Sequence, residues 1–238
     1  LNQVFDFAVA RGICEYNPVK MVSNNAFQKR RPKQQRHLKP NEIYQLNNFF
    51  NDKRFNYSLR ACAKFTLLTM VRVGNSSKAK WEDIDFNNKV WIIPADEMKM
   101  KDRSGHIVPL SEQAIEILNI MKELSFDLDY VFPNYRFSTH INPENINVSL
   151  KRAKIDTTTH GMRHLSSTLL NESQLFSKDL IEAALAHIDK NQVRAAYNNA
   201  AYIESRRELM QYLADFIDKC DTKENNERAL KEAGISLI

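Results

Sequence analysis

The chain has 238 residues, 43% of them hydrophobic, which fills the core of one large domain or two small ones and excludes a disordered polypeptide. Lysine and arginine outnumber aspartate and glutamate by 34 to 29, a net charge of +5 and a pI near 9.0, a balance that suits a polyanionic partner without establishing one. Three cysteines without C-x-x-C spacing (Cys14, Cys62, Cys220) argue against a disulfide framework or a zinc knuckle and fit a reducing compartment; no stretch approaches the roughly 18 apolar residues of a membrane span, and no signal-peptide pattern is present.

The opening "LNQVFDFAVARG" sets Leu1, Val4, Phe5, Ala8 and Val9 on one helical face and stops at Gly12, with Asn17-Pro18 as a second breaker. One helix cannot bury such a face alone, so the segment is expected to end a domain whose earlier part precedes Leu1. From Lys29 to Lys39 run six positive side chains (Lys29, Arg30, Arg31, Lys33, Arg36, Lys39) with a proline, no acid and no hydrophobic period. The pattern predicts a basic linker, either simply solvated or following a polyanion.

The main domain is expected to start near Pro40. "PNEIYQLNNFF" carries Ile43, Leu46, Phe49 and Phe50 at helical spacing, and "SLRACAKFTLLTMV" is apolar on most sides, as a central core helix is. "VWIIP" (90–94) and "HIVPL" (106–110) are short β-branched runs that predict a small antiparallel hairpin. Ser111 is the expected N-cap of "EQAIEILNIMKEL", and Asn142-Pro143 the cap and first residue of the next helix. Further helices are predicted over about 160–171, 178–187 and 200–218. The final "DTKENNERALKEAGISLI" reads as a mobile tail or a partner-docking helix. No internal repeat is visible, and the fold class is α+β, mainly α-helical, with a small antiparallel hairpin or sheet.

Placed on these elements, a few polar residues stand out. Arg72 follows the apolar helix just before Gly74, and Lys99 lies between the two predicted strands. His160 and Arg163 share one face at a helix start, where the amides also favour an anion. His187 ends "LIEAALAH", and Tyr197 follows ten residues later in "VRAAYNNA". Singly each has an ordinary reading: a helix-end arginine is usually a solvated charge, a hairpin lysine serves solubility, and a lone tyrosine is a half-buried aromatic. His160 and His164 are spaced i, i+4, but Gly161 stands where a zincin has its glutamate, so no metal site is expected.

In this order, however, the set resembles the catalytic series of the tyrosine recombinases, the phage integrase family. "LLTMVRVGNSSKAKWEDIDF" is similar to the family's first-arginine box and "MKMKDRSGHIVPL" to its β-hairpin lysine box. "THGMRHLSSTLLNES" and "LAHIDKNQVRAAYNNAAYIESRRELMQYLADF" are similar to the second and the histidine-to-tyrosine boxes, most of all to those of satellite-prophage and genomic-island integrases. The resemblance spans roughly residues 40–218. It implies the end of a helical core-binding domain over 1–27, a DNA-following interdomain linker over 28–39 using Lys29, Arg30, Arg31, Lys33 and Arg36, a catalytic domain over 40–220 and a tail over 221–238.

It further implies cleavage and rejoining of DNA attachment sites through a covalent 3′-phosphotyrosine, for integration or excision of a mobile element, with no cofactor or metal. In the implied roles Tyr197 is the nucleophile and His160 receives its proton. Arg72, Arg163 and His187 hold the non-bridging oxygens, and Lys99 protonates the departing 5′ oxygen. The implied partner is double-stranded DNA, with a tetramer on synapsed sites and a monomer alone, in the bacterial cytoplasm near the nucleoid and away from membranes. Residue chemistry fits independently, since paired guanidiniums suit the charge of a pentavalent phosphate.

One departure is visible. The family usually has an acid three positions after its first arginine, where this chain has Asn75, which takes away a partner for Arg72 and would reduce site order or activity. Two rival readings stay open. A type IB topoisomerase would relax supercoils without strand exchange; a DNA-binding or directionality protein with a decayed site would shift DNA without forming an adduct.

Overall fold

A computed structural model of the chain describes residues 1–22, 37–98, 105–125, 127–186 and 202–236. Two compact units are present, Leu1–Gln34 and Gln35–Ile238.

In the first unit, α1 (Asn2–Ala10) and α2 (Pro18–Met21) are joined through Asn17. Its amide donates to the Asn2 backbone carbonyl (3.2 Å) and to Asp6 Oδ1 (2.9 Å), while its own oxygen caps Val19 N at 2.9 Å. No residue of α1 is buried, and Leu1, Val4 and Phe7 are exposed. The basic residues Lys29, Arg30, Arg31, Lys33 and Arg36 lie outside the described residues.

The second unit is built around α4 (Tyr57–Thr69), whose apolar residues point in every direction; Ala61, Cys62, Ala63, Phe65, Leu67 and Leu68 are all buried. A helix apolar all round has to be surrounded. Around it pack α3 (Ile43–Asn51), α6 (Glu112–Leu124), α7 (Glu144–Arg152), α8 (Thr159–Ser173) and α10 (Ile203–Lys219). A short α9 (Lys178–Ala184) follows α8. The helix starts obey local capping: Asn56, Ser111, Thr158 and Ser177 each accept from a backbone N–H of the first turn. At 142–143 the expected cap shifts by one residue: Pro143 occupies the N-cap position, and the Asn142 side chain accepts from Glu144 N at 2.9 Å.

The expected hairpin is the larger part of a three-stranded antiparallel sheet in the order β1 (Ile84–Asp85), β2 (Val90–Ile93), β3 (His106–Pro109). Trp91 lies opposite Val108 and Ile93 opposite His106. The Trp91 and Phe132 rings each lie 5.4 Å from that of Phe65, which fastens the sheet to α4. A second two-residue pairing joins β4 (Pro133–Asn134) and β5 (Thr139–His140).

The stretch after Asp221 differs from the expected mobile or partner-docking tail. It forms α11 (Lys223–Glu232), with Ala229, Leu230 and Ile235 buried in the chain's own core. Its Asn226, fully buried, donates to the Pro40 carbonyl (3.0 Å) and accepts from Tyr44 N (3.2 Å). A charged sequence conceals this, because two hydrogen bonds and three apolar contacts suffice to dock so short a helix. Among the described residues no helix is long and apolar enough to cross a membrane.

Candidate active site

Helix α4 ends at Met70, which takes a left-handed conformation (φ 56°) while fully buried. The chain then turns outward, and Arg72 becomes the N-cap residue of the short α5 (Val73–Ser76). Its guanidinium is half-buried and has no hydrogen-bond partner among the described residues. Arg163, on the second turn of α8, is 5% exposed and reaches the same place from another direction. Its guanidinium donates to the Met70 carbonyl, two residues before Arg72, and to the Leu185 carbonyl just beyond α9.

Two predicted residues far apart in sequence are thus brought together. Burial first, and the Arg72 charge second, push the Arg163 guanidinium down to about 10, with Glu182 opposing; it stays cationic at neutral pH. Two like charges, of which Arg163 is held by neutral carbonyls, repel each other, and an anion placed between them relieves that repulsion. His160 stands exposed on the first turn of α8, three residues before Arg163. His164 turns instead toward His37, their rings edge-on with centroids 4.8 Å apart. Lys99, His187 and Tyr197 lie outside the described residues.

Two further tyrosines follow Tyr197 in the sequence; of these, Tyr212 packs edge-on against Phe176, centroids 5.5 Å apart, and burial raises its phenol pKa, which suits a core residue better than a nucleophile. Tyr202 is the N-cap residue of α10. Asn75, at the position where an acid was expected, is buried and donates its amide to the Glu97 carbonyl at 3.1 Å.

Sequence reasoning passed over two buried polar residues in the layer beneath. His106, on β3, is 5% exposed, and its Nε2 has no hydrogen-bond partner among the described residues. Burial, then the charges of Arg206 and Arg163 and more weakly Arg72, push its imidazole down to about 3, against a hydrogen bond to the Ala184 backbone. Arg206, fully buried on α10, donates to the Ile107 carbonyl at 2.9 Å, and burial pushes it down to about 10. A signal existed for both. His106 alternates with Val108 and Leu110, and Arg206 falls in the stripe of Leu209, Met210 and Leu213.

The signature of the phage integrase family matches residues 36–204. The chain belongs to the phage integrase family. This integrase-family chain is 38% identical over 225 residues to prophage integrase IntA of Escherichia coli K12, covering 93% of the chain and 54% of that protein. To the integrase of Enterobacteria phage P4 it is 39% identical over 175 residues, covering 67% and 40%. It therefore spans about half the length of the curated relatives it matches. Among solved structures it resembles the integrase from mycobacterium phage Brujita (TM-score 0.59, 17% identity, 89% of this chain and 68% of that one). A lambda integrase dimer bound to a COC′ core site is also similar (TM-score 0.57, 20% identity, 83% and 56%). At such identities the structural likeness speaks for the fold, and the fold is that of the family.

Proposed function

We propose that the chain carries the catalytic part of a site-specific DNA recombinase that integrates or excises a mobile element. The observation that carries this reading is the meeting of Arg72 with Arg163, whose buried guanidinium is oriented by the Met70 and Leu185 carbonyls. Such a pair holds two non-bridging oxygens of one phosphodiester and becomes more favourable as negative charge grows in the pentavalent transition state.

In the proposed step the Tyr197 hydroxyl oxygen attacks the scissile phosphorus. The oxygen–phosphorus bond to Tyr197 forms and the phosphorus–5′ oxygen bond breaks. A phenol with a pKa of about 10 must lose its proton as it attacks, and His160 receives it. The Lys99 ammonium gives a proton to the departing 5′ oxygen, and His187 donates a hydrogen bond to a non-bridging oxygen. The phosphotyrosine retains the energy of the broken linkage, so a second strand's 5′ hydroxyl reverses the step without a nucleotide cofactor. The partner is double-stranded DNA, engaged by four chains on two synapsed sites and followed by the basic 28–39 linker, and the protein works in the cytoplasm beside the nucleoid.

The test is covalent capture. Nicked duplexes with randomised cores are incubated with the protein, and denaturant-resistant adducts are recovered and sequenced. Wild type is expected to form adducts at a defined core, and Tyr197→Phe to shift the same duplexes without forming them. Adducts that persist in Tyr197→Phe refute the nucleophile. Mobility shifts with no wild-type adduct identify a DNA-binding protein, and supercoil relaxation without exchange between two sites identifies a topoisomerase.

A further inference from the structure

Asn75 stands where the family's usual acid would be, and its side chain bonds to the turn that follows β2. It is 8% exposed, inside the α5 turn that Arg72 caps, and its amide nitrogen donates to the Glu97 carbonyl at 3.1 Å. A carbonyl only accepts, so this contact needs a donor; a carboxylate at position 75 would set lone pair against lone pair. Glu97 closes the 3₁₀ turn Ala95–Glu97 that follows β2, and Met98 packs against the core. Lys99 comes next.

The far root of the same segment is also anchored. Gly105 has φ +64°, and a Cβ there would lie 2.7 Å from the Ile93 carbonyl oxygen, so only glycine lets the chain re-enter β3 so close to β2. The backbone on either side of residues 99–104 is thus anchored, at Glu97 by the Asn75 amide and at Gly105 by its close approach to Ile93.

We propose that Asn75 is a positioning residue for leaving-group protonation, holding the backbone before Lys99 against the Arg72 turn. This rests on Lys99 being the general acid, as in the reading above. It reverses the expectation drawn from the missing acid: here asparagine supplies a donor that aspartate cannot.

The test uses the duplex recovered by covalent capture, made with either an ordinary scissile phosphodiester or a 5′-bridging phosphorothiolate. In the second, the phosphorus–sulfur bond breaks and sulfur departs as a thiolate that needs no proton. Lys99→Ala, Asn75→Ala and Asn75→Asp are compared with wild type; Asn75→Ala removes the donor without burying a charge, which separates the effect from misfolding. General acid catalysis contributes roughly 10²–10⁴-fold, and a misplaced acid is expected to lose about 10- to 100-fold of it on the ordinary duplex. On the phosphorothiolate both Asn75 variants should recover to near the wild-type rate, as Lys99→Ala does.

Asn75→Asp that cleaves the ordinary duplex as well as wild type, or better, overturns the proposal. So does Asn75→Ala that stays slow with both leaving groups while Lys99→Ala is rescued, since the damage then lies at Arg72. If Lys99→Ala itself is not rescued, Lys99 is not the acid, and the assignment above falls together with this one.

Discussion

His106 sits 5% exposed with the charges of Arg206, Arg163 and Arg72 acting on it, and folding keeps its imidazole neutral down to about pH 3. Its folded pKa lies below the ordinary histidine value of 6.5, so as pH falls below 6.5 the unfolded chain takes up a proton that the folded chain refuses. The linked stability is complete above pH 6.5 and drains away between pH 6.5 and about 3. The greatest slope for one proton is about 1.4 kcal/mol per pH unit. Comparing urea unfolding at pH 7 and pH 5, wild type should lose about 1–2 kcal/mol more than His106→Gln. Equal losses in the two proteins would show that His106 titrates normally. Burial of this residue was legible, since His106 shares its side of β3 with the buried Val108. Its charged neighbours were not, because they come from α5, α8 and α10.

At the scale of elements, a recurring device is one polar side chain that satisfies the open carbonyls where a helix or turn ends. Arg163 does so after α4 and α9. Asn47 does so at the end of α10, donating to Ile217 (2.6 Å) and Cys220 (2.8 Å). Asn226 fastens α11 to the turn before α3. Replacing it with leucine leaves a buried carbonyl and a buried N–H unmatched, at a cost of about 1–3 kcal/mol. Asn226→Leu is therefore expected to lower the urea midpoint, whereas Asn225→Leu, at a half-buried residue whose hydrogen bonds with Asp221 and Arg228 lie at the surface, changes it much less. If the two variants unfold alike, α11 is not held by Asn226. A helix start such as that at Ser111 was readable because its cap acts within one turn; β1, β4 and β5 were not, because two-residue strands carry no period.

For the whole molecule, the proposed DNA partner makes a prediction about salt. Reversing the charges of Arg30, Arg31 and Lys33 should weaken binding to related and unrelated duplexes by similar factors. It should also flatten the dependence of log K on log salt by roughly 2–3 units, as three phosphate contacts are lost. Fluorescence anisotropy across a salt series measures both, and a loss confined to one sequence would remove the linker from the backbone-contact role.

Local pattern by itself determined that this chain would be mainly helical with a small sheet, and the order of arginine, lysine, histidine-x-x-arginine, histidine and tyrosine determined its family resemblance. Periodicity and capping act over a few residues and are written in the side chains themselves. Only the tertiary structure decided that Arg163 would grip the turn before Arg72, that Asn75 would face Glu97, and that the last helix would dock on its own chain. In each case at least one partner is a backbone carbonyl, a group that every residue carries. No side chain advertises it, and it acquires a partner only when distant segments fold into contact.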